Sequence, residues 1–361
     1  MNRNVLSRRG LAGVAIAAVA ALAFTGCASN DPAVDPSSTG SAAADALAGL
    51  SGELKASGAS FPNAYYQEII AEVQSLAPSL KVTYTSSGSS TGKKEFAGGL
   101  VDFAGTDSTV KDAEAPAGSY LYIPTVAAPI TVSYNLKEAP KLQLSADTLA
   151  KIFSRTIKTW NDAAVAADNP GVTLPATAIT VVHRSDGSGT TNNFTKYLTA
   201  ASPANWKLGS GDTVEWATDT QAGAKNTGVA QIITQTAGAI GYVDLSDATT
   251  SKLVFASIKN KDGKFVAPTL EGATAALAGA EVKDDLTYNP LNAAGADSYP
   301  ITAPTYLLVK PKYDDPKKAE LVKALVKYIL TDGQALAKDV QFAGLPDALK
   351  TKALAQLDKV S

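Results

Sequence analysis

His183-Arg184-Ser185-Asp186-Gly187-Ser188-Gly189-Thr190-Thr191 follows a β-branched run, Ile179-Thr180-Val181-Val182, and leads into Asn192 to Leu198, which reads as a helix. A buried strand, a glycine-rich turn and a helix N-terminus in succession make a place to hold an anion. The first N–H groups of a helix have no intrahelical acceptor, and the helix dipole favours negative charge beside them. Gly187 and Gly189 let the backbone come close, Ser188 and Thr190 add hydroxyl donors, and Arg184 brings a planar cationic fork. Asp186 is the odd member. A carboxylate repels an anion unless the ligand brings a proton for it to accept.

Two earlier turns share this design. Leu54-Lys55-Ala56-Ser57-Gly58-Ala59-Ser60-Phe61-Pro62 reads as a strand, a turn and a helix start, with Pro62 at a first helical position. The helix runs on through Tyr65, Tyr66, Ile69, Ile70, Val73 and Leu76. Leu80 to Tyr84 alternates as a strand and enters Thr85-Ser86-Ser87-Gly88-Ser89-Ser90-Thr91-Gly92, after which Asp102 to Asp107 is a short strand ending in an acid. One serine at such a turn is commonly a helix cap with no ligand involved. Three such turns, with Asp107 and Arg184, would meet where ligands of parallel sheets sit, beyond the carboxyl ends of the strands. Strands and helices keep alternating: Leu121 to Tyr134, Ser145 to Phe153, Ile179, Gly228 to Thr236, Ala239 to Val243. That alternation predicts an α/β fold with mainly parallel sheets. Lys317 to Lys338 and Pro346 to Leu357 are expected as closing scaffold helices.

Hydrophobic residues at 45% and charged residues at 18% fit a globular chain, and 361 residues suffice for two domains. Residues from 28 on carry 29 Lys+Arg against 34 Asp+Glu, or −5. A mildly acidic protein argues against nucleic acid as a partner and leaves anion binding to local donors. No Cys/His cluster or Asp-rich loop suggests a metal, and no cofactor is expected. His183 is the only histidine and precedes Arg184 on the strand, so it should face away from the pocket and serve structure. Too few residues separate it from Asp186 and Ser188 for the three to stack as a catalytic triad. Trp160, Trp206 and Trp216 are expected as packing or surface residues.

Arg3, Arg8 and Arg9, an apolar run from Leu11 to Phe24 and then Thr25-Gly26-Cys27 form a secretory signal over residues 1–26. Cys27, the only cysteine, can form no intramolecular disulfide; its setting resembles a bacterial lipobox, where the cysteine is lipidated and becomes the first mature residue. Ser7-Arg8-Arg9-Gly10-Leu11 faintly resembles a twin-arginine signal, but paired arginines are common in ordinary leaders and favour ordinary export. Residues 27–52, rich in Ala, Ser, Gly, Pro and Asp, are expected to be a flexible tether.

The chain resembles the PstS family, the phosphate-binding subunits of high-affinity phosphate ABC transporters. The resemblance rests on Gly58-Ala59-Ser60-Phe61-Pro62, Gly88-Ser89-Ser90-Thr91-Gly92, Val101 to Asp107, and Ile152-Phe153 with Ile157, Trp160 and Asp162. Arg184-Ser185-Asp186-Gly187-Ser188-Gly189-Thr190, Gly238 to Val243 and Tyr299-Pro300-Ile301-Thr302 complete it, in order over about residues 53–345. It implies a two-lobed periplasmic-binding-protein-like fold, each lobe a mainly parallel sheet flanked by helices. Lobe I would be 53–130 plus 303–361 and lobe II 131–302, with the ligand between them and hinges near Pro129–Tyr134 and Tyr299–Thr305. It implies a buried inorganic phosphate bonded by the Ser60 hydroxyl, the Phe61 N–H, Ser89, the Arg184 fork, Ser188, Gly189 and Thr190. Asp107 would accept the ligand's proton, and Asp186 would orient Arg184. It further implies a monomeric, lipid-anchored protein outside the cytoplasmic membrane that hands phosphate to permease subunits.

The chemistry agrees with that expectation. Phosphate near neutrality carries a proton and sulfate carries none, so a buried carboxylate at Asp107 would favour the first by several kcal/mol. Two rivals remain at this stage. One is a binder of sulfate, molybdate or arsenate, of which arsenate shares phosphate's protons. The other is a secreted phosphatase with Ser188 or Ser89 as nucleophile, against which stand the missing metal ligands and the lack of an activating base.

Overall fold

The computed structural model describes residues 41–115 and 118–361. The expected signal sequence, Cys27 and the first part of the tether lie outside the described residues. The end of that tether is not a flexible segment but helix α1 (Ala42–Ala48), capped by Ser41, with Leu47 fully buried. An alanine-rich turn needs one such apolar anchor to be held, and Leu47 joins the main core.

In chain order the first half continues with β1 (Gly52–Gly58), α2 (Asn63–Leu76), β2 (Leu80–Ser86), α3 (Ser89–Ala97), β3 (Phe103–Thr106) and β4 (Leu121–Tyr134). Then come β5 (Gln143–Leu144), α4 (Ala146–Phe153), α5 (Ala163–Asp168), β6 (Thr180–Arg184) and α6 (Gly189–Ala201). The remainder is β7 (Gln221–Gly223), α7 (Lys225–Gln235), β8 (Ala239–Asp244), α8 (Leu245–Thr250), β9 (Val254–Phe255), β10 (Ser257–Lys259), β11 (Phe265–Val266), α9 (Leu270–Ala278), β12 (Thr302–Val309), α10 (Pro316–Leu330) and α11 (Asp347–Gln356).

The main sheet has the order β2-β1-β3-β12-β4-β8-β6-β7, with β9 also on β4. Its pairing is mixed rather than mainly parallel. β1 runs parallel to β2 and β3, and β6 parallel to β7 and β8. β12 and β4 run antiparallel to their neighbours. The reason is connectivity: parallel neighbours come from strand–helix–strand units, whereas β4 and β12 join the two parallel groups and enter from the opposite direction. Leu121 to Pro129 of β4 pairs with β12, and Ile130 to Tyr134 pairs with β8, so one strand serves both groups and changes partner at Pro129. All of β4 except Leu121 is buried, as a strand covered on both faces must be.

The main core spreads over both groups, from Leu54 and Phe61 through Val126 and Tyr134 to Trp160, Phe194 and Tyr242; a smaller cluster of Val182, Val229, Ile233 and Val243 lies under α7 and α8. The single helix expected from Lys317 to Lys338 ends at Leu330, and tighter 3₁₀ turns follow over Asp332–Val340. A Cβ at Gly333 would stand 2.5 Å from Ile69 Cδ1, so α2 and the break are in direct contact there. Among the described residues no helix is long and apolar enough to cross a membrane.

Candidate functional site

Three helix N-termini meet at the strand ends. α6 begins at Gly189, with Ser188 as its cap: the Thr191 N–H donates to Ser188 Oγ at 3.1 Å and the Asn192 N–H to Ser188 O at 3.0 Å. That leaves the N–H groups of Gly189 and Thr190 ahead of the first intrahelical bond, in the position where an anion would take them. α3 begins at Ser89 after Gly88, whose φ of 93° is a conformation that glycine adopts without strain. α7 begins at Lys225, where the Lys225 N–H donates to Asp186 Oδ1 at 2.9 Å and the Asn226 N–H to Ser60 Oγ at 3.4 Å.

These segments approach until side chains no longer fit. A Cβ on Gly189 would lie 2.6 Å from Ser89 Oγ and 2.7 Å from Asp107 Cβ; one on Gly88 would lie 2.5 Å from Asp186 Oδ2. The Ser90 N–H donates to Gly187 O at 3.2 Å. Ser60, Phe61, Ser89, Asp107, Arg184, Ser188, Gly189 and Thr190 are all buried, and Asp186 is half-buried. The nine residues expected at the site are thus brought together, though Phe61 turns its ring away, edge-on to Phe342, and has only its backbone to offer.

Arg184 carries five N–H donors, and their partners define what is left over. Nε donates to Asp186 Oδ1 at 2.8 Å, Nη2 to Asp186 Oδ2, and Nη1 to Asn226 Oδ1 at 2.9 Å. One hydrogen on each terminal nitrogen remains, the Nη1 one near Thr190 Oγ1 at 3.5 Å. Terminal N–H groups of one guanidinium can reach two oxygens of one oxyanion. Burial tends to raise the Asp186 pKa, but the Arg184 guanidinium and the Lys225 N–H hold it below the usual carboxylate range.

Asp107 behaves differently. Burial pushes its pKa from 3.8 to about 7, with Asp212 adding to the rise; the Thr305 hydroxyl, the Arg184 charge and Ser89 oppose it. Oδ1 accepts from Thr305 at 2.7 Å and Oδ2 from Ser89 at 3.4 Å. The carboxyl therefore titrates near neutrality rather than staying ionised throughout. Around neutral pH the site can hold a proton between Asp107 and a ligand that titrates in the same range.

Several participants carried no local signal. Asp212, in the loop after α6, accepts from Ser90 Oγ at 2.7 Å and Asn192 Nδ2 at 2.8 Å and pairs with the buried Lys93 ammonium at 3.0 Å. Burial works to raise its pKa, yet Lys93 and Ser90 hold it low. Asn226 passes a bond on to Asp244 at 2.7 Å, and Asn193 donates to Asp107 O at 2.6 Å. The Arg184 N–H donates to the Tyr242 hydroxyl at 3.2 Å. Asn226 had a faint cue in sequence, a polar residue opening a helix after Gly223; Asp212, Thr305 and Asn193 had none. His183 is indeed turned elsewhere, stacked on Trp216 at 4.8 Å with Nε2 on Thr220 Oγ1 at 3.1 Å. Around the site Arg184 and Lys93 face Asp107, Asp186 and Asp212, so full charges cancel with Asp107 protonated and leave one negative charge with it ionised. An anion here would be held by N–H and O–H dipoles. Among the described residues no group of three His, Cys, Asp or Glu side chains could hold a metal.

A model of the PBP superfamily domain matches residues 37–333. The phosphate-binding protein PstS of Methanocaldococcus jannaschii is 38% identical over 309 residues, covering 78% of this chain and 79% of its own. PstS of Pasteurella multocida is 35% identical, covering 83% of this chain and 88% of its own. Among solved structures, the phosphate binding protein of Stenotrophomonas maltophilia superposes with a TM-score of 0.66 at 20% identity, over 84% of this chain and 94% of that one, a likeness of fold. A superfamily match over most of the length, and more than a third of residues shared with named relatives, place this chain in the PstS family of the PBP superfamily.

Proposed function

We propose that this chain binds inorganic phosphate at the convergence of α3, α6 and α7 and serves an ABC transporter outside the cytoplasmic membrane. The names of its relatives support the ligand, and the observation that carries the reading is Asp107: a buried acid titrating near neutrality among donors aimed at an anion. The free Nη2 N–H of Arg184 takes one phosphate oxygen, and the Nη1 N–H weakly held by Thr190 turns to a second. The N–H groups of Gly189, Thr190 and Phe61 and the hydroxyls of Ser60, Ser188 and Thr190 take the others, Ser89 turns its hydroxyl from Asp107 to the ligand, and Asp107 shares the ligand's proton. Asp186 holds Arg184 in place. The role is binding and not catalysis, with no cofactor.

Sulfate offers Asp107 lone pairs only, so an ionised Asp107 rejects it. The two parallel strand groups act as lobes, 53–130 with 303–361 and 131–302, joined through β4 near Pro129 and through the approach to β12. Phosphate touching both lobes favours the closed form by its differential contacts. The mature chain is a monomer held by lipidated Cys27 to the outer face of the membrane and delivers phosphate to permease subunits.

Calorimetric titration of the ligand-stripped protein at about pH 8 tests this, with phosphate first and sulfate second. Tight one-to-one phosphate binding with silent sulfate is expected. Equal binding of both would overturn the role of Asp107, and silence from both would overturn the reading. Arsenate, which shares phosphate's protonation, is expected to compete.

A further inference from the structure

We propose that a second, weaker oxyanion station lies outside the Asp107 site, in a cavity of about 230 Å³ flanked by Lys196 and Lys283, and that phosphate pauses there on its way in and out. This rests on the phosphate reading above. Asp107 and Asn193, both buried, form the inner end of the cavity; Lys196 is half-buried and Lys283 exposed at its outer end.

Helix geometry connects the two places. Gly189, Asn193 and Lys196 are spaced i, i+4, i+7 and share one face of α6, the helix whose first turn forms the anion site. Seven residues span about 10 Å. Asn193 sits between, donating to both Asp107 O and Gly189 O. An anion passing from Lys196 to the first turn of α6 would have to displace the Asn193 and Asp107 contacts that lie between them.

The lining is rich in donors that lack acceptors. Lys196 has no carboxylate within ion-pair distance among the described residues; its surroundings add Lys93, Lys111 and Lys283, countered by Asp212, which is already paired with Lys93. The Tyr288 hydroxyl is buried with no hydrogen-bond partner. A half-buried ammonium without a carboxylate partner is unfavourable, and an oxyanion beside it supplies the missing charge. The nearby acids are committed elsewhere: Asp107 to Thr305 and Ser89, Asp285 to the N–H and hydroxyl of Thr287. In a protein of net negative charge, a local cationic station is also what would draw an anion to the site.

A station on the path, absent from the final bound state, changes rates in both directions and leaves affinity alone. Stopped-flow fluorescence with inorganic phosphate, on the whole protein and on Lys196→Met/Lys283→Met, reads this. Association and dissociation are expected to slow together by about tenfold at low salt, with the inner Kd within about twofold and the difference gone near 1 M salt. Lys137→Met, in a different cavity, is expected to behave as the unaltered protein. In parallel, NMR shifts of Tyr288 at millimolar phosphate should titrate in the unaltered protein and vanish in the double variant. Unchanged rates with no Tyr288 shift overturn the station. Should the inner site fail to bind phosphate, the functional reading falls, and the Tyr288 titration alone still upholds or overturns the station.

Discussion

The Thr305 hydroxyl on β12 donates to Asp107 at 2.7 Å, tying the acid at the end of β3 to the antiparallel strand beside it. This bond favours the ionised carboxylate and opposes the burial that drives its pKa up to about 7. Below that pH a protonated Asp107 can donate to sulfate, so preference for phosphate should narrow as pH falls through neutrality and widen above it. Thr305→Val removes the donor and should move that midpoint upward by about one pH unit. Competition calorimetry across the range measures it, and an unmoved midpoint would remove Thr305 from the selectivity mechanism.

Asp107→Asn should separate stability from function. A carboxyl whose folded pKa lies above 3.8 destabilises the fold where it must ionise, fully above about pH 7 and not at all below its unfolded value. The ligand-free variant should therefore gain up to ~4 kcal/mol at pH 8 and lose that gain towards pH 4, at 1.36 kcal/mol per pKa unit. Phosphate binding should weaken at the same time. Denaturant unfolding at the two pH values decides; equal stability at both would mean that Asp107 is solvated.

Gly189→Ala should abolish binding while sparing the helix. Alanine is the better helix former, but its Cβ would stand within 3 Å of both Ser89 and Asp107 and force the segments apart. The expected result is a phosphate affinity at least ~100-fold weaker, equivalent to ~2.8 kcal/mol, with a ligand-free melting temperature within a few degrees of the parent. Full retention of affinity would show that the two segments need not approach this closely.

Lys93 and Asp212 should contribute to binding from outside the ligand's reach. Their 3.0 Å ion pair joins the buried Lys93 of α3 to the half-buried Asp212 in the loop after α6, and Ser90 adds a bond to the same carboxylate. A double-mutant cycle of Lys93→Met and Asp212→Asn on phosphate affinity should give a coupling of about 1–3 kcal/mol. Additive effects would mean that the pair does not help hold the bound form.

Asn226→Ala frees one Arg184 nitrogen and leaves Asp244 without its amide partner. Burial holds the Asp244 carboxyl well above its ordinary pKa, so the loss is one of orientation more than charge. Affinity should fall by about tenfold, and Asn226→Asp should not restore it, because a carboxylate has no amide N–H to give Asp244. Recovery in the aspartate variant would remove the amide from the argument.

What was legible in the sequence is what local chemistry writes there. Ser188, Gly189, Ser89 and Gly88 sit at helix starts because caps and glycine conformations are set by a few neighbouring residues, and Arg184, two residues before Asp186, reaches it within one turn. Alternating strands and helices likewise announced an α/β fold. Only the tertiary structure decided the mixed pairing of the sheet, because strand direction depends on where β4 and β12 insert and not on their own residues. It alone brought Thr305, Asn226, Asp212 and Asn193 to the site, from segments with no spacing in common. It also set the Asp107 pKa. That value comes from desolvation, and desolvation belongs to everything packed around a group rather than to the residues beside it in the chain.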